Sequence, residues 1–220
     1  MKFVVKDEFK TKMSTYVNLL KTAGALSLTG LSVGFCIYAT GSNPKINLIL
    51  DLDETLIHSK PIPNFKIFRK PDFTVGDECG VWKRPYSGVM FTVLQPFCNF
   101  HLYTSADKEY ADDILTRAGW NKHFAGNCRK YHDEIYEKNG CKDINAMDIA
   151  PPYLLNKTKC ILVDDREFND CQCSKYDRPV RSLQPANYKF IHIPPYKLYN
   201  SSDKELLKVS CKVIYEYFTQ

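Results

Sequence analysis

Short apolar runs alternate with longer segments of helical periodicity from Lys45 to the end of the chain. The apolar runs are INLIL (46–50), NFHLYT (99–104), KCILV (159–163) and YKFIHI (188–193). Continuous apolar runs of this length are typical of strands that are buried on both faces of a parallel sheet. The pattern therefore predicts an α/β fold in which helices flank a central, mostly parallel sheet.

Two segments carry the signals of amphipathic helices. After the second apolar run, Ser105 is a candidate cap for a helix whose first turn contains Asp107 and Glu109 and whose end is marked by Gly119. Near the C-terminus, the pattern Ser-Asp-Lys-Glu (202–205) has the form of a capping box. The apolar positions that follow it share one helical face, which we expect to lie in the core.

Residues 60–83 lie between the first and second apolar runs and contain prolines and short alternating stretches. This composition predicts a small β flap rather than a helix-rich lid. Closed lids commonly enclose small metabolites, whereas an open site admits an extended segment of a protein. A ligand site beside such a flap is therefore expected to admit an extended segment of a protein.

The N-terminal part, residues 1–41, differs from the rest of the chain. Residues 1–21 are polar and carry lysines, and residues 22–41 contain no charge. An uncharged segment of this length can span a bilayer, but many of its residues are Gly, Ser or Thr, which weakens insertion. A membrane anchor and a buried or surface-lying helix are both consistent with it. We divide the chain into this part and a folded α/β domain, 42–220.

Charge and cysteine content exclude several functions. Lysine and arginine exceed aspartate and glutamate by 30 to 25 without a dense basic run, so we expect no direct binding to nucleic acid. The nine cysteines include no C-x-x-C pair, which disfavours structural zinc. Unpaired thiols are typical of reducing compartments. We expect a monomer in the cytoplasm or nucleus, attached to a membrane if residues 22–41 insert.

Polar side chains follow three of the predicted strands at the point where each strand ends. They are Asp51 and Asp53, Thr104 and Ser105, and Asp164 and Asp165. The carboxyl ends of parallel strands form the edge of the sheet at which ligands bind. Carboxylates that meet there repel one another unless a cation is bound, and carboxylate oxygens suit Mg²⁺. The sequence therefore predicts a magnesium site at this edge.

These groups together are equipped for phosphoryl transfer. A bound metal neutralises phosphate oxygens, Asp51 can attack phosphorus to form an aspartyl phosphate, and Asp53 can protonate the leaving oxygen. Amides at the start of the helix after Thr104 favour an anion, and Lys142 is a candidate to hold phosphate oxygens. Each residue alone has an ordinary explanation as a turn or cap residue, so the prediction depends on their occurrence together.

Several segments, taken in order, resemble the motifs of the haloacid dehalogenase superfamily. They are LILDLDETLIHS (48–59), VWKRPY (81–86), LYTSADKEYADDIL (102–115), CKDI (141–144) and LVDDRE (162–167). The form is that of phosphatases acting on the C-terminal domain of RNA polymerase II and of their small relatives. The resemblance implies a Rossmann-like fold with a small β flap in place of a large cap. It also implies a magnesium-dependent phosphoserine/phosphothreonine phosphatase.

The resemblance also implies roles for individual residues. Asp51 would be nucleophile and metal ligand, and Asp53 would be general acid/base and a metal ligand through its backbone carbonyl. Asp164 and Asp165 would lie on the metal side, and which of them contacts the ion is left open. The residues implied to position Asp53 or to bind phosphate and substrate are Thr55, Arg84, Thr104, Arg129 and Lys142. Lys130 is an alternative to Arg129 for steering the substrate.

Two other functions are consistent with parts of the pattern. A catalytically weak scaffold or binding module, such as a mitochondrial import receptor subunit, has a similar fold, but in that lineage the acidic motif is eroded, whereas Asp51 and Asp53 are both present here. A signalling receiver domain has its acidic residues in the reverse order. We therefore predict a phosphatase whose partner is a phosphorylated protein segment, with the RNA polymerase II C-terminal repeats as one candidate.

Overall fold

The computed structural model describes residues 44–62, 69–76, 79–132, 142–149, 158–166, 185–197 and 202–219. All of them belong to one unit of the chain, Asn43–Gln220. The lysine-bearing segment and the uncharged segment 22–41 lie outside the described residues, so the domain boundary and the membrane anchor stay predictions. Within the described ranges, every helix is too short or too polar to cross a bilayer.

The described residues form eight strands and three α-helices. The strands are β1 (Ile46–Leu50), β2 (Ile57–Pro61), β3 (Phe73–Val75), β4 (Cys79–Lys83), β5 (Cys98–Tyr103), β6 (Arg129–Lys130), β7 (Cys160–Asp164) and β8 (Tyr188–His192). The α-helices are α1 (Ser87–Leu94), α2 (Lys108–Arg117) and α3 (Glu205–Phe218), and two short 3-10 helices lie at Asn121–His123 and Ile144–Ala146.

Five strands form a sheet in the order β6-β5-β1-β7-β8, and every pairing in it is parallel. The central strand is β1, and all of its residues are buried. A strand that is covered on both faces cannot present either set of its alternating side chains to water, which explains the nearly continuous apolar run Ile46–Leu50. The predicted fold class is confirmed.

The two faces of this sheet carry different cores because successive side chains of a strand point in opposite directions. On one face, the ring of Phe91 in α1 lies 5.1 Å from the ring of Phe100 in β5, and α1 packs against α3. On the other face, Ile49 and Tyr103 pack with Ile144. The sheet is therefore fixed on both sides, and its edge is a rigid platform for side chains.

A second, antiparallel sheet has the order β2-β4-β3 and lies between β1 and α1 in the sequence. The indole nitrogen of Trp82 donates to the backbone oxygens of Arg69 and Lys70 at 3.1 and 3.0 Å. A β-carbon at Gly80 would lie 2.9 Å from the Trp82 ring, so a side chain there would displace the indole. This sheet confirms the predicted small β flap.

The helix after β5 begins later than expected, because the turn before it has its own hydrogen bonds. The Thr104 hydroxyl accepts from the amide of Ala106 at 3.1 Å, and the Ser105 hydroxyl accepts from Arg166. Helix α2 therefore starts at Lys108, with Asp107 rather than Ser105 at its cap. Its predicted end is correct, since Gly119 has a φ of 73°, a left-handed conformation that glycine adopts readily.

Candidate active site

The carboxyl ends of β1 and β7 bring three aspartates together. Leu50 and Val163 are register partners, and the amide of Asp51 donates to the carbonyl of Val163 at 3.1 Å. The next residues along the two strands are therefore neighbours. Carboxylate oxygens of Asp51, Asp164 and Asp165 lie within 4.8 Å of one another, so the structure brings together the acidic residues expected at this edge.

Lys142 lies against two of these aspartates. Its ammonium donates to Oδ1 of Asp51 and to Oδ2 of Asp164, the second at 2.7 Å. The ammonium also lies 5.8 Å from the centre of the Tyr103 ring, and the Tyr103 hydroxyl accepts from the amide of Asp143 at 3.3 Å. The last residue of β5 thus contacts the segment that carries the lysine.

Negative charge is in excess at this edge. Burial raises the pKa of Asp51 to about 7 against the opposing effect of Lys142, and the charges of Asp164 and Asp165 raise it further. Burial also raises the pKa of Asp165, with a contribution from Asp164. Burial alone would lower the pKa of Lys142, but the neighbouring carboxylates outweigh it and raise the pKa. One ammonium therefore offsets only part of the charge of three carboxylates.

This donor set fits a magnesium ion. Mg²⁺ takes hard oxygen ligands, is held by one or two carboxylates and keeps the rest of its shell for water and phosphate. The carboxylates of Asp51, Asp164 and Asp165 supply such oxygens at a single point. Their mutual repulsion in a buried environment is relieved by a divalent cation, so both the ligand chemistry and the charge favour this ion.

The side chain of Asp53 contacts the small sheet and α2. Its Oδ1 accepts from the hydroxyl of Tyr110 at 2.9 Å and from the hydroxyl of Ser59 at 3.3 Å. Burial raises the pKa of Asp53 above the ordinary value, and the two hydrogen bonds act in the opposite direction. A carboxyl group with a raised pKa is suited to general acid catalysis. The predicted contact of its backbone carbonyl with a metal stays a prediction.

Arg84 holds the turn that follows the first strand. Its guanidinium donates to the carboxylate of Asp203 at 3.2 and 2.8 Å and to the carbonyls of Glu54, Thr55 and Pro194 at 3.2, 3.1 and 2.7 Å. These bonds use all of its N–H groups, and the side chain is fully buried. The substrate contact that we expected for Arg84 is not supported, because no donor is left for it.

The two threonines of the predicted site are both buried. Thr104 ends β5 and accepts from the amide of Ala106 through its hydroxyl. Thr55 is one residue past Glu54, which has a left-handed φ of 58°, and its carbonyl accepts from Arg84 at 3.1 Å. Thr55 is therefore part of the tight turn after the two aspartates of the first motif. Its predicted role in positioning Asp53 is consistent with this location.

Arg129 is directed toward α2. Its guanidinium forms an ion pair with Asp112 at 3.0 Å, and the hydroxyl of Tyr131 donates to the same oxygen at 2.7 Å. Adjacent residues of a strand point to opposite faces, so Lys130 is directed the other way. The carbonyl of Lys130 accepts from the amide of Thr104 at 3.0 Å. Of the two basic residues, Lys130 is the one whose backbone adjoins Thr104.

Three residues near the site were missed by sequence reasoning. Tyr110 and Ser59 contact Asp53, and their only signal was that each lies inside a motif segment. Asp203 lies in the predicted capping box, which would have Ser202 at the cap, but α3 begins at Glu205 with Lys204 at the cap position, and it is Asp203 that accepts from the amide of Glu205 at 2.9 Å. Its ion pair with Arg84 joins positions 119 residues apart, and no local pattern reveals that.

Comparison with known proteins identifies the family. The model described as NLI interacting factor-like phosphatase matches residues 46–216. The chain belongs to this family. It is 29% identical over 113 residues to CTD small phosphatase-like protein 1 of Caenorhabditis elegans, a match that covers 48% of this chain and 22% of that protein. The motifs from the first strand to the fourth motif all lie within the range that the family model matches.

Two solved structures of the phosphatase Fcp1 are also similar to the chain. One is a variant of the fission yeast RNA polymerase II CTD phosphatase bound to beryllium fluoride, with 16% identity and a TM-score of 0.41 over 88% of this chain and 55% of that one. The other, described as an essential RNA polymerase II CTD phosphatase, has the same identity and TM-score over 86% and 53%. The chain thus spans about half of each solved chain and 22% of the curated relative.

Proposed function

We propose that the chain is a magnesium-dependent phosphatase that removes phosphate from serine or threonine in a protein segment, through an aspartyl phosphate on Asp51. The observation that carries the proposal is the convergence of Asp51, Asp164 and Asp165 on one point beside Lys142. Membership in a phosphatase family supports it. Carboxylates that repel one another in a largely buried place are typical of functional sites, and their oxygens suit the metal ion that phosphoryl transfer uses.

Asp51 and Asp165 would hold the metal, together with the backbone carbonyl of Asp53. We choose Asp165 over Asp164 because both oxygens of Asp164 already accept hydrogen bonds, Oδ1 from the amide of Arg166 at 2.9 Å and Oδ2 from Lys142 at 2.7 Å. Among the described residues, no side chain donates to the Asp165 carboxylate. When bound, Mg²⁺ neutralises charge on the phosphate oxygens.

In the first step, a carboxylate oxygen of Asp51 attacks phosphorus, and the bond from phosphorus to the serine or threonine oxygen breaks. Asp53 gives its proton to that oxygen as it leaves. In the second step, Asp53 takes a proton from water, the water oxygen attacks phosphorus, and the bond to Asp51 breaks. Phosphate is released, Asp51 is a carboxylate again, and Asp53 is protonated for the next turnover.

Lys142 and Thr104 would hold the phosphate oxygens. The ammonium of Lys142 already contacts Asp51, so it lies beside the atom that attacks phosphorus. Thr104 follows β5, which pairs with β1, so it lies at the same edge of the sheet as Asp51. Such contacts fix the phosphate in line with the attacking oxygen and stabilise the charge of the transition state.

The substrate class follows from the flap and from the basic residue near the site. The strands β2, β3 and β4 are three to five residues long, and a small flap in place of a closing lid favours an extended peptide over an enclosed metabolite. We propose Lys130 as the residue that steers the phosphopeptide, because its carbonyl accepts from the amide of Thr104 at the end of β5. One relative is named CTD small phosphatase-like protein 1, so phosphorylated Ser-Pro repeats are the first peptides to test.

The test uses the full chain with an aryl phosphate, with Ser-Pro phosphopeptides and with unrelated phosphopeptides, with Mg²⁺ or with a chelator. Asp51→Asn is expected to lower turnover by about 10³-fold or more, because the nucleophile is lost. Asp113→Asn is the control, since Asp113 pairs with Arg117 on α2 at 2.8 Å and should retain wild-type turnover. A folded wild-type chain without magnesium-dependent turnover on any substrate would overturn the proposal in favour of a binding module.

A further inference from the structure

Two hydroxyl groups from different parts of the fold donate to the same oxygen of Asp53. Tyr110 belongs to α2 and reaches Oδ1 at 2.9 Å. Ser59 belongs to β2 of the small sheet and reaches it at 3.3 Å. Asp53 itself follows β1 of the central sheet and forms an isolated bridge with Ile57. Three separate elements therefore meet at one carboxylate oxygen.

Both donors are carried on fixed backbone. Ser59 is the register partner of Val81 in the antiparallel ladder of β2 and β4, and α2 packs against β3 of the same small sheet. The terminal torsion of an aspartate is broad and nearly two-fold, so a carboxyl group without such partners samples a wide range of orientations. Two donors that reach one oxygen from two directions restrict this rotation.

The geometry also distinguishes the two oxygens of the carboxyl group. Oδ1 accepts both hydrogen bonds, so in the protonated acid the proton belongs on Oδ2. Within the part of the chain that the structure describes, Oδ2 receives no hydrogen bond from a side chain. Oδ2 is therefore the oxygen that can give a proton to a leaving group and take one from water, while Oδ1 keeps its two partners in both protonation states.

We propose that Tyr110 and Ser59 are positioning residues that orient Asp53 so that Oδ2 carries the catalytic proton. This inference rests on the proposed function, in which Asp53 is the general acid and base. The two residues act through the carboxyl group of Asp53, whose backbone carbonyl is the atom proposed to contact the metal, and within the described residues neither hydroxyl bonds to the carboxylates of Asp51 or Asp165. Their contribution is a fixed direction of proton transfer, which matters most when the leaving oxygen cannot depart without a proton.

The leaving group separates this role from others. An alkoxide such as that of serine needs a proton as the bond to phosphorus breaks, whereas nitrophenolate is stable enough to leave without one. A residue that orients the acid therefore affects the two substrates differently. Loss of a residue that contacts the peptide raises KM. Loss of a residue that only supports the fold lowers turnover of every substrate by the same factor.

The experiment compares Tyr110→Phe, Ser59→Ala and the double variant with the full wild-type chain. With Mg²⁺ and a phosphoserine peptide, the double variant is expected to lose about 30-fold in the rate of Asp51 phosphorylation, and with p-nitrophenyl phosphate less than about 3-fold, with KM unchanged. The control is Tyr131→Phe, whose hydroxyl donates to another aspartate, Asp112, at 2.7 Å, and it should match wild type. Equal losses for both substrates, or an effect on KM alone, would overturn the proposal.

A measurement without turnover separates this inference from the proposed function. Crystal structures of the wild type, Tyr131→Phe and the double variant report the orientation of the Asp53 carboxyl group about its terminal torsion. We expect one orientation in the wild type and in Tyr131→Phe, and several orientations in the double variant. A wild type that hydrolyses no phosphate ester would remove the proposed function, and these structures would still decide whether the Asp53 carboxyl group is positioned. A single, unchanged orientation in the double variant would overturn the inference.

Discussion

The two ends of the central sheet both bury charged side chains, but they balance the charges differently. At the carboxyl ends of β1 and β7, three carboxylates meet the ammonium of Lys142. At the amino ends of β7 and β8, the carboxylate of Glu216 pairs with two lysines, Lys159 at 2.6 Å and Lys189. The first end keeps an excess of negative charge that a cation and a substrate can offset, and the second end keeps none.

The pKa shifts of the carboxyl groups reflect this difference. Burial raises the pKa of Asp51 to about 7, and Lys142 offsets only part of the effect. Burial acts in the same direction on Glu216, but Lys159 and Lys189 outweigh it and hold the pKa of Glu216 below its ordinary value. An unfavourable charge distribution is thus confined to the end of the sheet where chemistry is proposed, as expected for a functional site.

The largest expected effect on stability comes from breaking the buried ion pair at the carboxyl end. Arg84→Met leaves Asp203 charged, buried and without its partner, which should lower the free energy of unfolding by about 3–5 kcal/mol. Urea unfolding measures it. Arg117→Met is the matched control, because Arg117 forms an exposed pair with Asp113, and it should cost less than about 1 kcal/mol.

A double variant sharpens this test. Arg84→Met combined with Asp203→Leu removes both buried charges, so it should be less destabilising than Arg84→Met alone. If the single variant costs no more than the exposed control, Arg84 does not hold the turn after β1, and its assignment as a residue of the scaffold is wrong.

The next effect is a pH dependence toward the amino end, where His101 is buried. Its Nε2–H donates to Asn47 at 3.2 Å, and its Nδ1 accepts from the amide of Cys128 at 3.1 Å, so the ring is neutral. Burial lowers the pKa of His101 to about 4. The unfolded chain binds this proton first as the pH falls below about 6.5, so stability is present above that value and lost below it.

Between pH 7 and pH 5 this histidine should contribute a loss of about 2 kcal/mol in the free energy of unfolding. Urea unfolding at the two pH values measures the loss, and His101→Gln should remove most of it. The exposed His192→Gln should keep the wild-type dependence. An unchanged dependence in His101→Gln would show that the buried ring is not the group that titrates.

The smallest expected effects on the free energy of unfolding have opposite signs at the two ends of the central sheet. Glu216→Gln should lower stability by about 1 kcal/mol at neutral pH, because two ion pairs are lost. Since the pKa of Glu216 is lowered in the fold, this contribution is present above the unfolded value and disappears as the pH falls below it. In a chelator, Asp165→Asn should instead raise stability by less than about 1 kcal/mol, because repulsion from Asp164 is relieved. A lower free energy of unfolding in both Glu216→Gln and Asp165→Asn would contradict the comparison.

The main sheet and the acidic edge could be predicted from the sequence because each depends on a local pattern. The run Ile46–Leu50 is apolar since β1 is covered on both faces, and the runs that form β5 and β7 have the same cause. Parallel strands place their carboxyl ends at one edge. Polar residues directly after three such runs were therefore expected at one edge, and the strand order β5-β1-β7 makes them neighbours in space.

Other features depend on packing that the sequence does not reveal locally. Helix α1, SGVMFTVL, has few polar residues, so its periodicity is not visible, although Met90, Phe91 and Leu94 are buried as in an ordinary helix. Strand β6 has two residues, too few to show which of Arg129 and Lys130 faces α2. The contacts of Arg84 and of Asp53 join segments that are distant in the chain or lie in different sheets.

The central claim is that Asp51 carries the phosphoryl group during turnover, and trapping that intermediate tests it most directly. The full chain is mixed with a phosphoserine peptide and Mg²⁺, quenched in acid and treated with borohydride, which reduces an aspartyl phosphate to homoserine, and the modified position is located by mass spectrometry. We predict homoserine at position 51, dependent on both the peptide and Mg²⁺. Release of phosphate without modification at position 51, or with modification at another residue, would contradict the account.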